Sequence, residues 1–545
     1  MDTADLEPMD VQNRCDLGAF LAFFCERCLQ KAVARWHLPT ILAHRAQVST
    51  NTTHTEPAWL RESLEVMSPR PHFLVLTFPL QGHIAPALRL ARRLLAAAPD
   101  ALVTFSTTAA ALERMFPAKQ PAAAAESGGG GEDDGHGVHD GRLECLPFSD
   151  GTEGGYARAD DAGAFAAYMA SFHAAGALSV GELLDALAAR GRPVTRVVYT
   201  LLLPWAADVA RGRGVPAALY WIQPVAVFAV YHHYFHGHAG VFAERRRDPS
   251  SAVELPGLPP LAAADLPSFL TESVDPSDFY HSVFTTFRDL FDALDRETPK
   301  ATVLVNSCQE LEVGVLAAAG AHDLLPIGPV LPSGDDAGLF KQDNARYMEW
   351  LDGKPANSVV YVAFGSLATM AREQLGELLR GLEESGRPYL CVVRKDNKAV
   401  LAEVETEVDE LKNGIMVEWC DQVQVLSHVA VGCFVTHCGW NSVLESLASG
   451  VPMVGVPRMS EQRMNAQLIE REWRVGVRAD VDSAGVLRPA EVRQRIEEVM
   501  GEGKAAAEVR HAAGEWKRVI AEAMGKGGSS DRNLMAFMEG AKTGI

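Results

Sequence analysis

Two stretches of this 545-residue chain hold side chains that could do chemistry in turns between regular elements. The first is Pro79-Leu-Gln-Gly-His83-Ile. It follows an apolar run that predicts a buried strand over 72–78. It precedes an apolar-periodic stretch that predicts a helix over 84–97. Gly82 permits a tight turn and Pro86 marks the first helical turn. His83 is therefore expected to project into a cleft. An imidazole titrates near pH ~6.5 when unperturbed, so it can take a proton at neutral pH. The second stretch is Gly432-Cys-Phe-Val-Thr-His-Cys-Gly-Trp-Asn-Ser-Val-Leu-Glu-Ser446. A buried strand is expected to end near Thr436, with His437, Gly439, Asn441 and Ser442 in the turn. A helix then runs to the stop at Gly450-Val-Pro452. Asn441 or Ser442 reads as the N-cap, with Glu445 in the capping-box region. Backbone N–H groups and the positive end of the helix dipole would then face the crevice beyond the strand, where a diphosphate fits. Gly439 lets backbone approach a ligand closely, and His437, Asn441 and Ser442 add donors.

Strands alternating with helices must position both turns. In the first half, strands are expected at 72–78, 101–106, 195–199, 217–221 and 301–306. In the second they are expected at 359–364, 389–393, 415–418, 432–436 and 453–456, with helices such as 373–384 and 442–449 between them. This alternation implies parallel βαβ units. Residues 326–346 mix Pro, Gly and polar residues and read as an interdomain linker. Residues 122–142 are rich in Ala, Gly and acids and read as a disordered loop. Residues 1–66 are polar and irregular, and read as an extension dispensable for activity. Neither half carries GxGxxG after its first strand, and a P-loop is also missing, so dehydrogenase and P-loop chemistries are disfavoured.

The formal net charge of -20 argues against broad nucleic-acid binding and against anionic membrane surfaces. No apolar run is long enough to span a bilayer. The longest N-terminal one follows an acidic start, the opposite of a secretory leader, so a cytosolic protein is expected. Nine scattered cysteines suggest no disulfide framework. The Cys25/Cys28 pair lacks a second pair, so no metal is expected.

The segment from Trp419 and Gln422 through 432–446 to Glu461-Gln462 resembles the signature box of plant secondary-product UDP-glycosyltransferases. The likeness extends over residues 67–545 through 78–83, Leu146-Pro-Phe-Ser-Asp-Gly151, Pro326-Ile-Gly-Pro329 and Val360-Tyr-Val-Ala-Phe-Gly-Ser366. It implies an α/β fold of the GT-B type, two Rossmann-like domains facing a cleft. Residues 67–325 would bind the acceptor and 347–545 the UDP-sugar, with the C-terminal helix returning to the first domain. It also implies UDP-glucose as donor co-substrate, no metal or other cofactor, a small lipophilic acceptor and a monomer. Trp419 would stack on uracil, Gln422 would lie near the base or ribose, and Glu445 would accept from the ribose hydroxyls. His437, Asn441, Ser442 and Ser366 would hold the diphosphate. Trp440, Glu461 and Gln462 would bind sugar hydroxyls, in a pattern that favours glucose over galactose or glucuronate. Asp421 stands where many relatives have Pro, a change expected to be neutral, and Glu461 stands where Asp is commoner.

The resemblance makes His83 the base that deprotonates the acceptor, with inversion at the anomeric carbon. Its usual Asp partner falls at Thr200, which could hydrogen-bond an imidazole but could not stabilise imidazolium by charge. Asp208 is near in sequence, but its helix position argues against a substitute role. A carboxylic acid is already ionised at neutral pH, whereas a phenol near pKa ~10 needs a base, so Thr200 leans toward carboxylate acceptors. The 198–205 run with Trp221-Ile-Gln-Pro224 resembles the subgroup of indole-3-acetate, abscisate and anthocyanin 5-O-glucosyltransferases, whose last members use phenols. The His-rich tract 231–238 is expected to line the acceptor pocket or pack between helices rather than hold a metal. A UDP-sugar epimerase or hydrolase on the same scaffold, or a silent UDP-sugar binder, stays open as an alternative.

Overall fold

The computed structural model describes residues 70–115, 141–152, 154–155, 162–247, 252–271, 279–317, 319, 322–332, 344–365, 370–394 and 412–543. The 1–66 extension, Cys25/Cys28, most of the 122–142 loop, the middle of the 326–346 segment and Ser366 lie outside the described residues.

Strands covered on both faces by helices bury every side chain, so they read as unbroken apolar runs. β1 (His72–Leu76), β2 (Leu102–Ser106) and β4 (Arg196–Thr200) are buried along their whole length. They join β3 (Leu143–Cys145), β5 (Ala217–Trp221), β6 (Thr302–Val305) and β7 (Asp323–Pro326) in a parallel sheet of order β3-β2-β1-β4-β5-β6-β7. A second parallel sheet holds β8 (Val359–Ala363), β9 (Tyr389–Val392), β10 (Gly414–Val417), β11 (Val431–Thr436), β12 (Met453–Gly455) and β13 (Gly476–Arg478). Its order is β10-β9-β8-β11-β12-β13. Both are doubly wound, and the fold is GT-B with two Rossmann-like domains. In such sheets ligands bind beyond the carboxyl ends of the strands, where the winding reverses. The reversals fall between β1 and β4 and between β8 and β11. His83 follows β1, and His437 follows β11.

The helix after β1 runs Gln81–Ala97, so it starts before His83 and carries Pro86 inside it. The expected turn is thus the first helical turn itself. The last helix, Ser529–Thr543, packs on the first sheet: the Phe537 ring lies 5.9 Å from Phe73, and the Arg196 guanidinium sits 5.1 Å from the Phe537 centroid. Ser530 Oγ donates to the Gly328 carbonyl at 2.6 Å, and Asn533 Nδ2 to the Pro326 carbonyl at 2.8 Å.

Candidate active site

His83 is the third residue of its helix, 5.7 Å between ring centroids from Phe78. The residue is half-buried, yet its Nδ1 is sealed from solvent without a hydrogen-bond partner. Burial pushes its pKa down to about 4. The imidazole is therefore neutral at pH 7 and free to accept a proton. The expected pairing with Thr200 does not occur. Thr200 Oγ1 donates to Thr77 Oγ1 at 3.2 Å and accepts the Phe78 N–H at 3.4 Å. Its short side chain joins the ends of β4 and β1 instead of orienting the imidazole. Asp208, on the helix Trp205–Arg211, is paired with Arg211 and Arg296.

Proline has no N–H, so Pro86 leaves the carbonyl four residues back, Gly82, without its helical donor. Asn441 fills that role from the other lobe: its Nδ2 donates to the Gly82 carbonyl at 3.0 Å. Asn441 was expected on the diphosphate. Its amide N–H instead ties the helix bearing His83 to the helix after β11.

That second helix runs Trp440–Ser449 and ends at Gly450, whose φ of 74° is open to glycine at little cost. Its N-cap is Gly439, not Asn441 or Ser442, and no side chain caps the first turn. Asn441 and Ser442 are the second and third helical residues, and Glu445 lies beyond capping reach. Uncapped N–H groups at a helix start suit an anion. His437 is wedged in front of them. A Cβ at Gly439 would lie 2.4 Å from His437 Nε2, and one at Gly365 would lie 2.6 Å away. Gly365 also has a φ of +73°. His437 Nδ1 is buried, and burial pushes this imidazole down to about 4, partly offset by the Ala363 backbone.

Three histidines with folded pKa values about 4, His83, His232 and His437, bind fewer protons than the unfolded chain does between that value and pH ~6.5. Stability is therefore expected to fall as pH drops from ~6.5 toward 4. Burial raises Glu312 and Glu461, which act in the opposite sense over the low end of that range. The melting temperature measured between pH 7.5 and 5 is expected to decline, with a flatter slope in His83→Gln, which has no proton to take up. Identical slopes would mean that His83 does not titrate with folding.

The expected nucleotide end forms one connected network. Gln422 opens the helix Gln422–Leu426. Its Nε2 donates to Ser442 Oγ at 2.9 Å and to Glu445 Oε2 at 2.8 Å, and its Oε1 accepts from Tyr361 Oη at 3.1 Å. Arg89, from the His83 helix, pairs with Glu445 Oε1 at 3.0 Å. Both oxygens of Glu445 are thus engaged, Oε1 across the cleft by Arg89 and Oε2 within its own lobe by Gln422. Trp419 is half-buried between β10 and the 422–426 helix. Asp421 caps that helix, its carboxylate accepting from Gln424 N at 3.0 Å, while its own N–H donates to Tyr347 Oη at 3.1 Å. Pro at 421 would offer neither bond. Asp421→Pro is expected to cost about 2 kcal/mol, one share for the cap and one for the lost N–H bond. The midpoint of urea denaturation checks this, and an unchanged midpoint would contradict it.

At the expected sugar end, Glu461 and Gln462 follow β12. Glu461 is buried, and burial raises its pKa, while Ser460 and the backbone of Glu461 and Trp440 partly offset this. Gln223, from the other lobe, donates Nε2 to Glu461 Oε2 at 3.1 Å. Gln462 Oε1 is spent on its own loop, accepting from the N–H groups of Arg458 and Met459 at 3.0 and 3.2 Å. Trp440 is anchored across the lobes. Its indole N–H donates to the Asn306 carbonyl at 2.7 Å, and its ring lies 5.9 Å from Trp473. That spends its one side-chain donor on holding the lobes together.

Arg89, Gln223 and Gly365 were not singled out from sequence. Arg89 gives no signal in periodicity. Gln223 lies in the Trp221-Ile-Gln-Pro224 run, which carried only a subgroup likeness. The His tract packs between helices: His236 Nε2 meets Asp295 Oδ2 at 3.0 Å, and the His232 and His236 rings stack 4.0 Å apart. Among the described residues, no group of three or more His, Cys, Asp or Glu is arranged to hold a metal. Among them, too, no helix is long and apolar enough to cross a membrane.

Comparison with known proteins fits this geometry. The family profile described as UDP-glucoronosyl and UDP-glucosyl transferase matches residues 304–503. UDP-glycosyltransferase 75C1 of Solanum lycopersicum is 42% identical over 484 residues, covering 86% of this chain and 98% of that one. The chloroplastic crocetin glucosyltransferase of Gardenia jasminoides is 41% identical over 492 residues, covering 87% and 98%. The crystal structure of Os79 from O. sativa in complex with UDP superimposes with a TM-score of 0.67 at 31% identity, covering 86% of this chain and all of that one. Fold and site thus define a two-lobed enzyme that moves a sugar from a nucleotide onto a small molecule. The chain belongs to the plant UDP-glycosyltransferase family.

Proposed function

We propose that this enzyme transfers glucose from UDP-glucose, with inversion, to the carboxylate of a small lipophilic plant metabolite such as indole-3-acetate or abscisate. The observation that carries this reading is His83, a neutral imidazole held at about 4, with no partner on its buried Nδ1. Proton transfer is efficient when base and acid are matched. A base that weak is poorly matched to a phenol near pKa ~10, but a carboxylic acid near ~4 is already ionised at neutral pH. Thr200, engaged with Thr77, offers no negative charge to stabilise imidazolium. In the step itself a carboxylate oxygen attacks the anomeric carbon. The bond from that carbon to the diphosphate oxygen breaks, and UDP leaves with the bonding pair. In this reading the uncapped N–H groups of the 440–449 helix, with the His437 imidazole beside them, would stabilise the departing charge. We read the enzyme as a cytosolic monomer that needs no metal, since the donor groups for the diphosphate come from the chain itself.

The test is incubation with UDP-glucose and, singly, indole-3-acetate, abscisate and a flavonoid, with products analysed by mass and anomeric proton coupling. β-Glucose conjugates of an acid support the reading. Release of free glucose with every acceptor would instead favour a hydrolase.

A further inference from the structure

Gln223 lies in the loop after β5 on the first lobe, yet its side chain ends on the second. Its Nε2 donates to Glu461 Oε2 at 3.1 Å, with Gln223 8% exposed and Glu461 9%. Its Oε1 is buried with no hydrogen-bond partner. Leaving such a group unmade costs about 1–3 kcal/mol, so stability alone does not explain the amide.

The surroundings hold this side chain in place from both lobes. Two residues past Gln223 the helix Val225–His233 begins. Buried Glu312 accepts the N–H groups of Val225 and Ala226 at 3.0 and 2.9 Å, and the Ser307 hydroxyl at 2.7 Å. That clamp fixes the end of the Gln223 loop. On the other side, Ser268 N donates to the Ser460 carbonyl at 3.0 Å, and Ser460 N donates to Ser268 Oγ at 2.7 Å. The turn carrying Glu461 is thereby tied to the first lobe as well.

We infer that Gln223 is a donor-sugar specificity residue, which orients the Glu461 carboxylate through Nε2 and accepts a hexose hydroxyl on Oε1. This rests on the reading of Glu461 as a sugar-binding carboxylate. A buried amide oxygen beside a buried carboxylate is a pair of acceptors. It takes the hydroxyls of a neutral hexose and repels the carboxylate of a hexuronate. A site built to bond a hydroxyl also discriminates against a sugar that lacks it, because its polar groups are then left unpaired.

The experiment uses the full chain with Gln223→Met, which keeps side-chain length and removes both polar groups. Calorimetry with UDP and with UDP-glucose is followed by steady-state kinetics with UDP-glucose and UDP-glucuronate. The expected result is unchanged affinity for UDP, about tenfold weaker UDP-glucose, equivalent to about 1.4 kcal/mol, a narrowed preference over UDP-glucuronate and an unchanged acceptor KM. Gln223→Glu sets a second carboxylate against Glu461 and is expected to weaken UDP-glucose further, again at constant UDP affinity. Equal loss of UDP and UDP-glucose affinity would make Gln223 structural and overturn the proposal. A raised acceptor KM with UDP-glucose affinity unaltered would overturn it too, as would no change at all. A wild-type enzyme that binds UDP-glucose yet glucosylates no acceptor would count against the proposed function, not against Gln223.

Discussion

Replacing His83 with Ala is expected to lower kcat/KM for a hydroxyl acceptor by about 10²–10⁴-fold, the usual contribution of a positioned base. The loss for a carboxylic acid is expected to be much smaller, because that acceptor brings its charge with it. UDP affinity should stay unaltered, since the imidazole belongs to the first lobe and the diphosphate donors to the second. The pH profile follows from the same ring. With the imidazole at about 4, the base-dependent rate stays level from neutral pH down to about 5 and falls below it as Nε2 or Nδ1 takes a proton. Initial rates for one phenol and one carboxylic acid, measured across pH in wild type and His83→Ala, check both points. Equal losses for the two acceptors would show that His83 does something other than accept a proton.

Gly439→Ala is expected to lower kcat/KM for UDP-glucose by about 10²–10³-fold, the scale of losing one donor to a developing oxyanion. The backbone there is ordinary, with a φ of -61°, so conformational strain is not the cause. The cause is the added Cβ, which would sit 2.4 Å from His437 Nε2. Gly365 borders the same nitrogen, since a Cβ added there would lie 2.6 Å from it. The imidazole must leave the mouth of the 440–449 helix, or the helix must shift. Serine at 439 should fail as well, since its Cβ meets the same ring. Kinetics with UDP-glucose, backed by UDP affinity, provides the check, and wild-type values for both would remove His437 from the diphosphate site.

Much of the fold was legible because its determinants are local. The runs at β1, β4, β8 and β11 are mainly apolar and buried throughout, and each is followed by a helical period, so parallel α/β lobes follow. β3, β7 and β13 escaped notice, being three- or four-residue strands at sheet edges. Their pairing comes from the neighbour strand rather than from a pattern of their own. The chemistry-bearing turns were legible for the same local reason. What those residues bond to was not. Asn441 reads as a cap, and only Pro86, in the other lobe, explains why it leaves that role for Gly82, 359 residues away. Arg89 reaches Glu445 across 356 residues and Gln223 reaches Glu461 across 238, distances that no periodicity encodes. Thr200 was placed correctly at the end of β4, but a threonine is too short to reach the imidazole once Thr77 and Phe78 have claimed its hydroxyl.

The central claim is that an unpartnered, neutral His83 suits this enzyme to acceptors that arrive ionised. Its most direct test is a single competition reaction: UDP-glucose with equal indole-3-acetate and a flavonoid, products separated by mass and then treated with dilute alkali. The account predicts mainly alkali-labile glucose ester. Mainly alkali-stable flavonoid glucoside would contradict it and would mean that His83 deprotonates phenols without a carboxylate behind it.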